Sequence, residues 1–247
     1  MAYQQESVTP YNKSERKGTQ VEKMFNNIAP TYDRLNHTLS LGIDRWWRNK
    51  SIDSLKPYSP QDILDIATGT GDFAILAARR LQPKHVTGAD ISREMMEIAS
   101  HKVNQQGLEG IVSFKREDCM RLTFADCSFD AVTVAYGARN FERLDKGLSE
   151  ILRVLRPSGH LLMLELASPK SSPMKQLFWI YSHLVIPFIG LLFSRDVKAY
   201  KYLTESVQAF PQGEVMEEVL RKQGFTDIQW RRFTFGICTM YLACKGK

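Results

Sequence analysis

Short apolar runs alternate with amphipathic stretches through most of the chain. Ile63-Leu64-Asp65-Ile66 has the apolar character of a buried parallel strand, and it turns through Thr68-Gly69-Thr70-Gly71 into the alanine-rich, helix-like run Phe73 to Ala78. Val86 to Asp90 and Val112 to Cys119 repeat the strand pattern, each with an acid at its end. Phe129 to Gly137 predicts a fourth strand, and Leu144 to Leu155 a helix with Leu148, Ile151, Leu152 and Leu155 on one face. Pro157-Ser158-Gly159 ends that helix and leads to a fifth strand, His160 to Glu165. Glu214 to Gln223 is amphipathic with Gly224 at the position that stops a helix. Thr226 to Phe233 and Ile237 to Cys244, joined by a glycine-containing turn, read as an antiparallel hairpin. Strands that alternate with helices and finish in a hairpin predict a Rossmann-like α/β fold. Its seven-stranded sheet is mostly parallel, with antiparallel strands at the C-terminal end.

The remaining stretches are additions to that core. Residues 1–20 are polar, without apolar periodicity, and read as a flexible arm. Val21, Met24, Phe25 and Ile28 fall at helical spacing and open a helical cap over residues 21–60, in which Pro30 ends the first helix. An insertion over residues 170–210 separates the fifth strand from the last helix. Within it, Gln176 to Ser194 carries no formal charge. That length borders on the roughly 20 residues a membrane span needs. Pro187 and Gly190 interrupt it, so it reads better as a broken apolar cover or a pocket for a lipid tail. All of residues 21–247 then form one domain.

Composition narrows the class. Hydrophobic content of 43% and charged content of 24% are ordinary for a folded chain of 247 residues. Cys119, Cys127, Cys238 and Cys244 lack metal-ligand spacing and the five histidines are scattered, so no metal is expected. No apolar leader precedes the arm, which predicts a cytoplasmic protein. The net charge of +6 comes without a basic, aromatic-rich path for nucleic acid. Lys175, Arg195, Lys198 and Lys201 around the apolar insertion instead suit peripheral contact with an anionic membrane surface and an apolar substrate. Oligomeric state stays open, a homodimer included.

The chemistry gathers at the carboxyl ends of the strands, where open α/β sheets bind ligands. Gly69 and Gly71 allow close approach of backbone to ligand, and Asp90, 19 residues beyond Gly71, is placed to accept ribose hydroxyls. Asp65, Asp72 and Asp118 make the same crevice acidic. A dinucleotide's pyrophosphate would be repelled there, whereas the ammonium and sulfonium of S-adenosylmethionine would be attracted. A nicotinamide oxidoreductase and a non-catalytic binding module are the competing readings. Tyr136, Arg139, Asn140 and Glu165 belong to the same rim.

Four motifs carry a resemblance: Phe25-Asn26-Asn27-Ile28-Ala29-Pro30-Thr31-Tyr32-Asp33, Gly69-Thr70-Gly71-Asp72, Tyr136-Gly137-Ala138-Arg139-Asn140-Phe141 and Tyr200-Lys201-Tyr202-Leu203-Thr204-Glu205-Ser206. From about Val21 onward the chain resembles the ubiquinone/menaquinone biosynthesis C-methyltransferase family. The resemblance implies a seven-stranded S-adenosylmethionine-dependent methyltransferase fold. It also implies methyl transfer to a ring carbon of a polyprenyl hydroquinone, demethylmenaquinol above all or a benzoquinol. It places cofactor contacts at Thr70, Asp90, Asp118, Cys119 and Ala135, beside Asp65 and Ile91. Thr68 stands where the family usually has glycine, and Ala135 where many members carry serine.

Methylating a ring carbon needs an electron-rich ring, and a phenol pKa of about 10 makes deprotonation unfavourable at neutral pH. Arg139 is the candidate to stabilise the phenolate, and Asn140 to position a water or the ring hydroxyl. Tyr32 and Glu165 are further candidates, and His183 is a possible base. With Tyr136, Tyr200 and Tyr202 they make up the expected substrate side of the site.

Overall fold

The computed structural model describes residues 3–182 and 197–247. Its centre is a seven-stranded sheet: β1 (Asp62–Ile66), β2 (His85–Asp90), β3 (Val112–Arg116), β4 (Phe129–Ala135), β5 (Leu155–Leu166), β6 (Phe225–Phe233) and β7 (Cys238–Lys245). The spatial order is β3-β2-β1-β4-β5-β7-β6. The first five strands run parallel, and β7 is antiparallel to both β5 and β6. The order reverses between β1 and β4, and the crevice for a ligand opens at that switch point.

The helices are α1 (Lys17–Ile28), α2 (Tyr32–Leu39), α3 (Ile43–Asp53), α4 (Asp72–Leu81), α5 (Arg93–Gln105), α6 (Leu144–Val154), α7 (Met174–Ile180), α8 (Val197–Ala209) and α9 (Glu214–Gln223). Alternate residues of the central strands face opposite layers, as strand geometry requires. Leu64, Ile66, Val132, Val134, Leu161 and Met163 join the cluster with Leu148 and Ile151 of α6 and Met216 and Leu220 of α9. Ile63, Ala131, Leu162 and Leu164 join the opposite one, with Phe73, Ala74 and Ala77 of α4 and Trp47 and Ile52 of α3. Gly71 precedes α4 with φ +80°, and a Cβ there would meet Ala99 Cβ at 2.9 Å, so α4 and α5 close on each other only over glycine.

Several boundaries differ from the pattern. β3 stops at Arg116, which leaves Asp118 and Cys119 in the turn beyond it. Tyr136 leaves β4 with φ +59°. β5 begins at Leu155, directly after α6, because Ser158 (φ +63°) and a register shift against β4 let the chain pass Pro157 without leaving the sheet. The polar arm is also less loose than its composition suggests. Gln4–Ser7 is a 3-10 helix, Gln5 is fully buried, and Glu6 Oε1 accepts from Leu144 N at 2.9 Å. α1 starts four residues before Val21, and the buried Lys17 Nζ donates to Gln5 O (2.7 Å) and Arg139 O (3.1 Å). Burial pushes the Lys17 ammonium down to about 8. The uncharged stretch begins in α7, and its part from His183 to Ser194 lies outside the described residues. Among the described residues, no helix is long and apolar enough to cross a membrane.

Candidate active site

Two cavities meet at the carboxyl ends of the strands. The first, about 430 Å³, is lined by Gly69, Asp90, Ile91, Asp118, Cys119, Ala135 and the α1 residues Val21, Glu22 and Phe25. Asp90 ends β2 with Oδ2 accepting from Gly69 N and Oδ1 from Ser92 N, both at 2.8 Å. Those bonds fix the carboxylate and leave lone pairs for a diol. Burial pushes its pKa upward, and the same backbone donors hold it down. Asp118 is locked in the next turn by Met120 N at 2.9 Å. Burial and the Asp118 and Asp90 carboxylates raise the Cys119 thiol well above its usual range, so it packs as a neutral group.

Asp65, Thr70 and Gly71 lie behind this wall and do not line the larger cavity. Asp65, 1% exposed, accepts from the hydroxyls of Thr68 and Thr133 at 2.6 Å each. The departure at Thr68 therefore adds a hydroxyl that holds the β1 carboxylate. Thr70 donates its hydroxyl to Asp33 on α2, and Lys102 of α5 pairs with both Asp33 Oδ2 (2.6 Å) and Asp72. Asp72 is thus neutralised by Lys102 and is not a free charge facing the crevice. The same cluster ties the helical cap to the glycine turn.

The second cavity, about 170 Å³, is mostly apolar and runs between α1, α2, α3, α7 and α8. Phe25, Tyr32, Tyr136 and Asn140 line both cavities, so these four stand at their junction. Asn140, 9% exposed, accepts from the Tyr202 hydroxyl at 3.0 Å, which orients its amide. Burial raises the pKa of Tyr202, and that phenol stays a donor at neutral pH. Arg139 also lines the second cavity, but its Nη1 is 2.6 Å from Glu165 Oε1, with side-chain exposures of 8% and 1%. Nη1 also donates to Tyr136 O. Glu165 itself lines neither cavity. The structure therefore brings together Tyr32, Tyr136, Arg139, Asn140 and Tyr202, with Glu165 behind Arg139 as its counter-ion. His183 and the side chain of Tyr200 lie outside the described residues.

Arg48 and Lys102 are site residues the pattern did not single out, and Asp33 stands in the first motif with no role assigned to it. For Arg48 a signal exists: Asp44, Trp47, Arg48, Ser51 and Ile52 share the buried stripe of α3, and charge on such a stripe is unusual. Lys102 has no such signal, because its partners are 30 and 69 residues away in sequence and meet it only through the fold.

This sheet order, with an acid at the tip of β2, a second just beyond β3 and a glycine turn after β1, is that of the Rossmann-like methyltransferase fold. The ubiE/COQ5 methyltransferase family matches residues 13–245, and the chain belongs to that family. It is 59% identical over 245 residues to the demethylmenaquinone methyltransferase of Bacteroides fragilis, covering 99% of this chain and 100% of that one. The protein of that name from Porphyromonas gingivalis is 46% identical over 241 residues, covering 97% and 98%. A ubiquinone/menaquinone biosynthesis C-methyltransferase from Geotalea daltonii is 42% identical over 231 residues, covering 93% and 97%. Among solved structures, a possible histamine N-methyltransferase from Thermotoga maritima superposes with TM-score 0.63 at 16% identity, covering 91% of this chain and 99% of that one. The [4+2]-cyclase SpnF does so with TM-score 0.68 at 18% identity, covering 93% and 96%. The cyclase underlines that this fold alone does not specify a reaction.

Proposed function

We propose that the protein transfers a methyl group from S-adenosylmethionine to a ring carbon of demethylmenaquinol, giving menaquinol. The reading is carried by the contiguity of an acidic crevice and an apolar cavity that share Phe25, Tyr32, Tyr136 and Asn140. The names of the relatives in Bacteroides fragilis and Porphyromonas gingivalis point to the same acceptor. The larger cavity suits the donor in volume and chemistry: an anchored Asp90 for the ribose diol, Asp118 beyond it, and the Ala135–Tyr136 turn toward the acceptor. When bound, S-adenosylmethionine supplies an electrophilic methyl carbon whose bond to sulfur breaks, the electron pair staying on sulfur, as the ring carbon takes the methyl.

The protein's own part is placement and charge. Tyr32 and Asn140 hold the ring at the junction, and Tyr202 keeps the Asn140 amide aimed. Arg139, tied to Glu165, holds the turn after β4 at the floor of the junction. The quinol loses one phenolic proton before attack. The methylated ring then gives up its ring proton and recovers a hydroxyl proton, so one proton is released per turnover.

We place the protein peripherally on the inner face of the membrane. Leu41 and Phe235, 83% and 76% exposed, project from turns whose neighbours touch, Trp46 packing on Phe233 and Trp47 donating to Thr234. Tyr181 donates to Leu39 O and brings α7 beside them, with Leu177, Trp179 and Ile180 exposed. An apolar collar of this kind at the cavity suits a bilayer from which the tail would enter.

The deciding experiment is methyl transfer to demethylated naphthoquinol and benzoquinol side by side, each with and without a polyprenyl tail in anionic vesicles. Turnover on the naphthoquinol is expected. Preference for the benzoquinol would move the function to ubiquinone biosynthesis, and turnover on neither would refute the reading. Asp90→Ala is expected to weaken S-adenosylmethionine binding by about 1.5–3 kcal/mol, the range for hydrogen bonds to a charged group. Calorimetry checks this, and unchanged affinity would remove Asp90 from the diol site.

A further inference from the structure

Two cations line the apolar cavity among the described residues, and they differ in how their charge is met. Arg139 is held by Glu165 at 2.6 Å and by the Tyr136 carbonyl. Arg48, on α3, is buried at 9% exposure; the Nε of each arginine lacks a hydrogen bond, and the difference lies in the counter-ion, which for Arg48 stands at 3.5 Å. Asp44 Oδ2 lies 3.5 Å from Nε while Asp44 Oδ1 accepts from the Ser40 hydroxyl at 2.6 Å, and the buried Asp65 carboxylate, held by Thr68 and Thr133, also acts on Arg48. Asp72, which also faces it, is already neutralised by Lys102. The guanidinium lies 5.0 Å from the centre of the Tyr136 ring, one of the four side chains at the junction of the two cavities. The Tyr136 hydroxyl is itself buried, with the Cys238 thiol as its neighbour. Burying a loosely paired cation beside an apolar cavity costs stability, and an anionic oxygen arriving there would offset that cost in the bound state.

We propose that Arg48 is a catalytic residue that holds the quinol oxygen as it loses its proton. This rests on the quinol-methylating reading above and deepens it. The phenolic proton passes to solvent, and Arg48 takes no proton. It faces the negative charge on oxygen while the ring carbon bonds to methyl, and that charge disappears when the C–S electron pair returns to sulfur. Arg139, with its charge already matched by Glu165, shapes the turn and leaves this role to Arg48. A cation aimed where charge develops, beside a mostly apolar cavity wall, contributes more than it would in solvent.

The test uses the full-length enzyme and Arg48→Gln and Arg48→Lys variants, with tail-less demethylnaphthoquinol as acceptor. Arg48→Gln should lower kcat about 100-fold, the effect of removing one oxyanion donor, with S-adenosylmethionine affinity held within about threefold. Arg48→Lys should recover part of that loss. A second readout is independent of turnover: 4-nitro-1-naphthol, whose phenolate absorbs visible light, is titrated on the S-adenosylhomocysteine complex. Its pKa should be depressed on the native enzyme, return toward the solution value in Arg48→Gln, and fall between in Arg48→Lys. An unchanged kcat in Arg48→Gln, or the same naphthol pKa in native enzyme and variants, would overturn the proposal. If Arg48→Gln does not fold, the naphthol titration of Arg48→Lys decides. A native enzyme with no turnover on any quinol would instead fail the reaction assignment, which is a separate outcome.

Discussion

Glu165→Gln is expected to lower the melting temperature by on the order of 10 °C. Glu165 Oε1 accepts from Arg139 Nη1 at 2.6 Å and from Leu166 N at 3.0 Å, and Oε2 accepts from Arg139 N at 3.2 Å. Both side chains are nearly inaccessible, at 8% and 1%. Removing the carboxylate charge leaves a guanidinium buried without a counter-ion, which costs about 3–5 kcal/mol. For a domain of this size that corresponds to roughly 2–4 °C per kcal/mol. The double variant Glu165→Gln, Arg139→Met should recover much of the loss, because the damage comes from an unpaired charge and not from a missing attraction. Thermal unfolding of the single and double variants checks this. A shift below about 3 °C for the single variant would mean that Arg139 finds water or another partner through the cavity.

Asp65→Asn should move stability the other way. Asp65 is 1% exposed at the end of β1, and burial pushes its pKa up to about 6 against the opposing pull of Thr133, Thr68 and Arg48. In the unfolded chain the group titrates near 3.8. Between those two values the folded state binds more protons than the unfolded state, so the contribution of Asp65 to stability falls as pH rises from about 4 to 6. Above that window the charged carboxylate costs the fold about 3 kcal/mol, at 1.36 kcal/mol per pH unit. The asparagine variant, which carries no such charge, should therefore melt higher than the native enzyme at pH 7, by up to about 3 kcal/mol, and the gap should close as pH falls toward 4. A variant less stable at pH 7 would show that the bonds from Thr68 and Thr133 outweigh the burial penalty. On the proposed reading the cost is retained for function, because a carboxylate beside the glycine turn favours a positively charged ligand. The same variant should bind S-adenosylmethionine more weakly while being more stable without it.

Local pattern was enough to define the sheet. Ile63 to Ile66, Val86 to Asp90 and the Thr226 to Cys244 hairpin announce themselves because period and turn chemistry act over a few residues. The acids at strand ends are legible for the same reason: a parallel strand of known direction puts its last residues on the ligand rim. Boundaries slipped where a single left-handed residue decided them. Tyr136 at φ +59° is held by its N–H bond to Leu164 O, and Ser158 at φ +63° falls in the register shift between Leu155 and His160, so neither follows from its own preference.

The sequence alone determined the fold class and the acids that end β2 and follow β3, since each depends on short-range order. Only the tertiary structure decided how the charges are matched. Glu165 lies behind Arg139 and lines neither cavity, Lys102 cancels Asp72 from another helix, and Arg48 is left with a longer contact to Asp44. Charge pairing depends on distances between side chains far apart in the chain, and burial sets what each pair is worth. Neither quantity can be read before the helices are packed on the sheet.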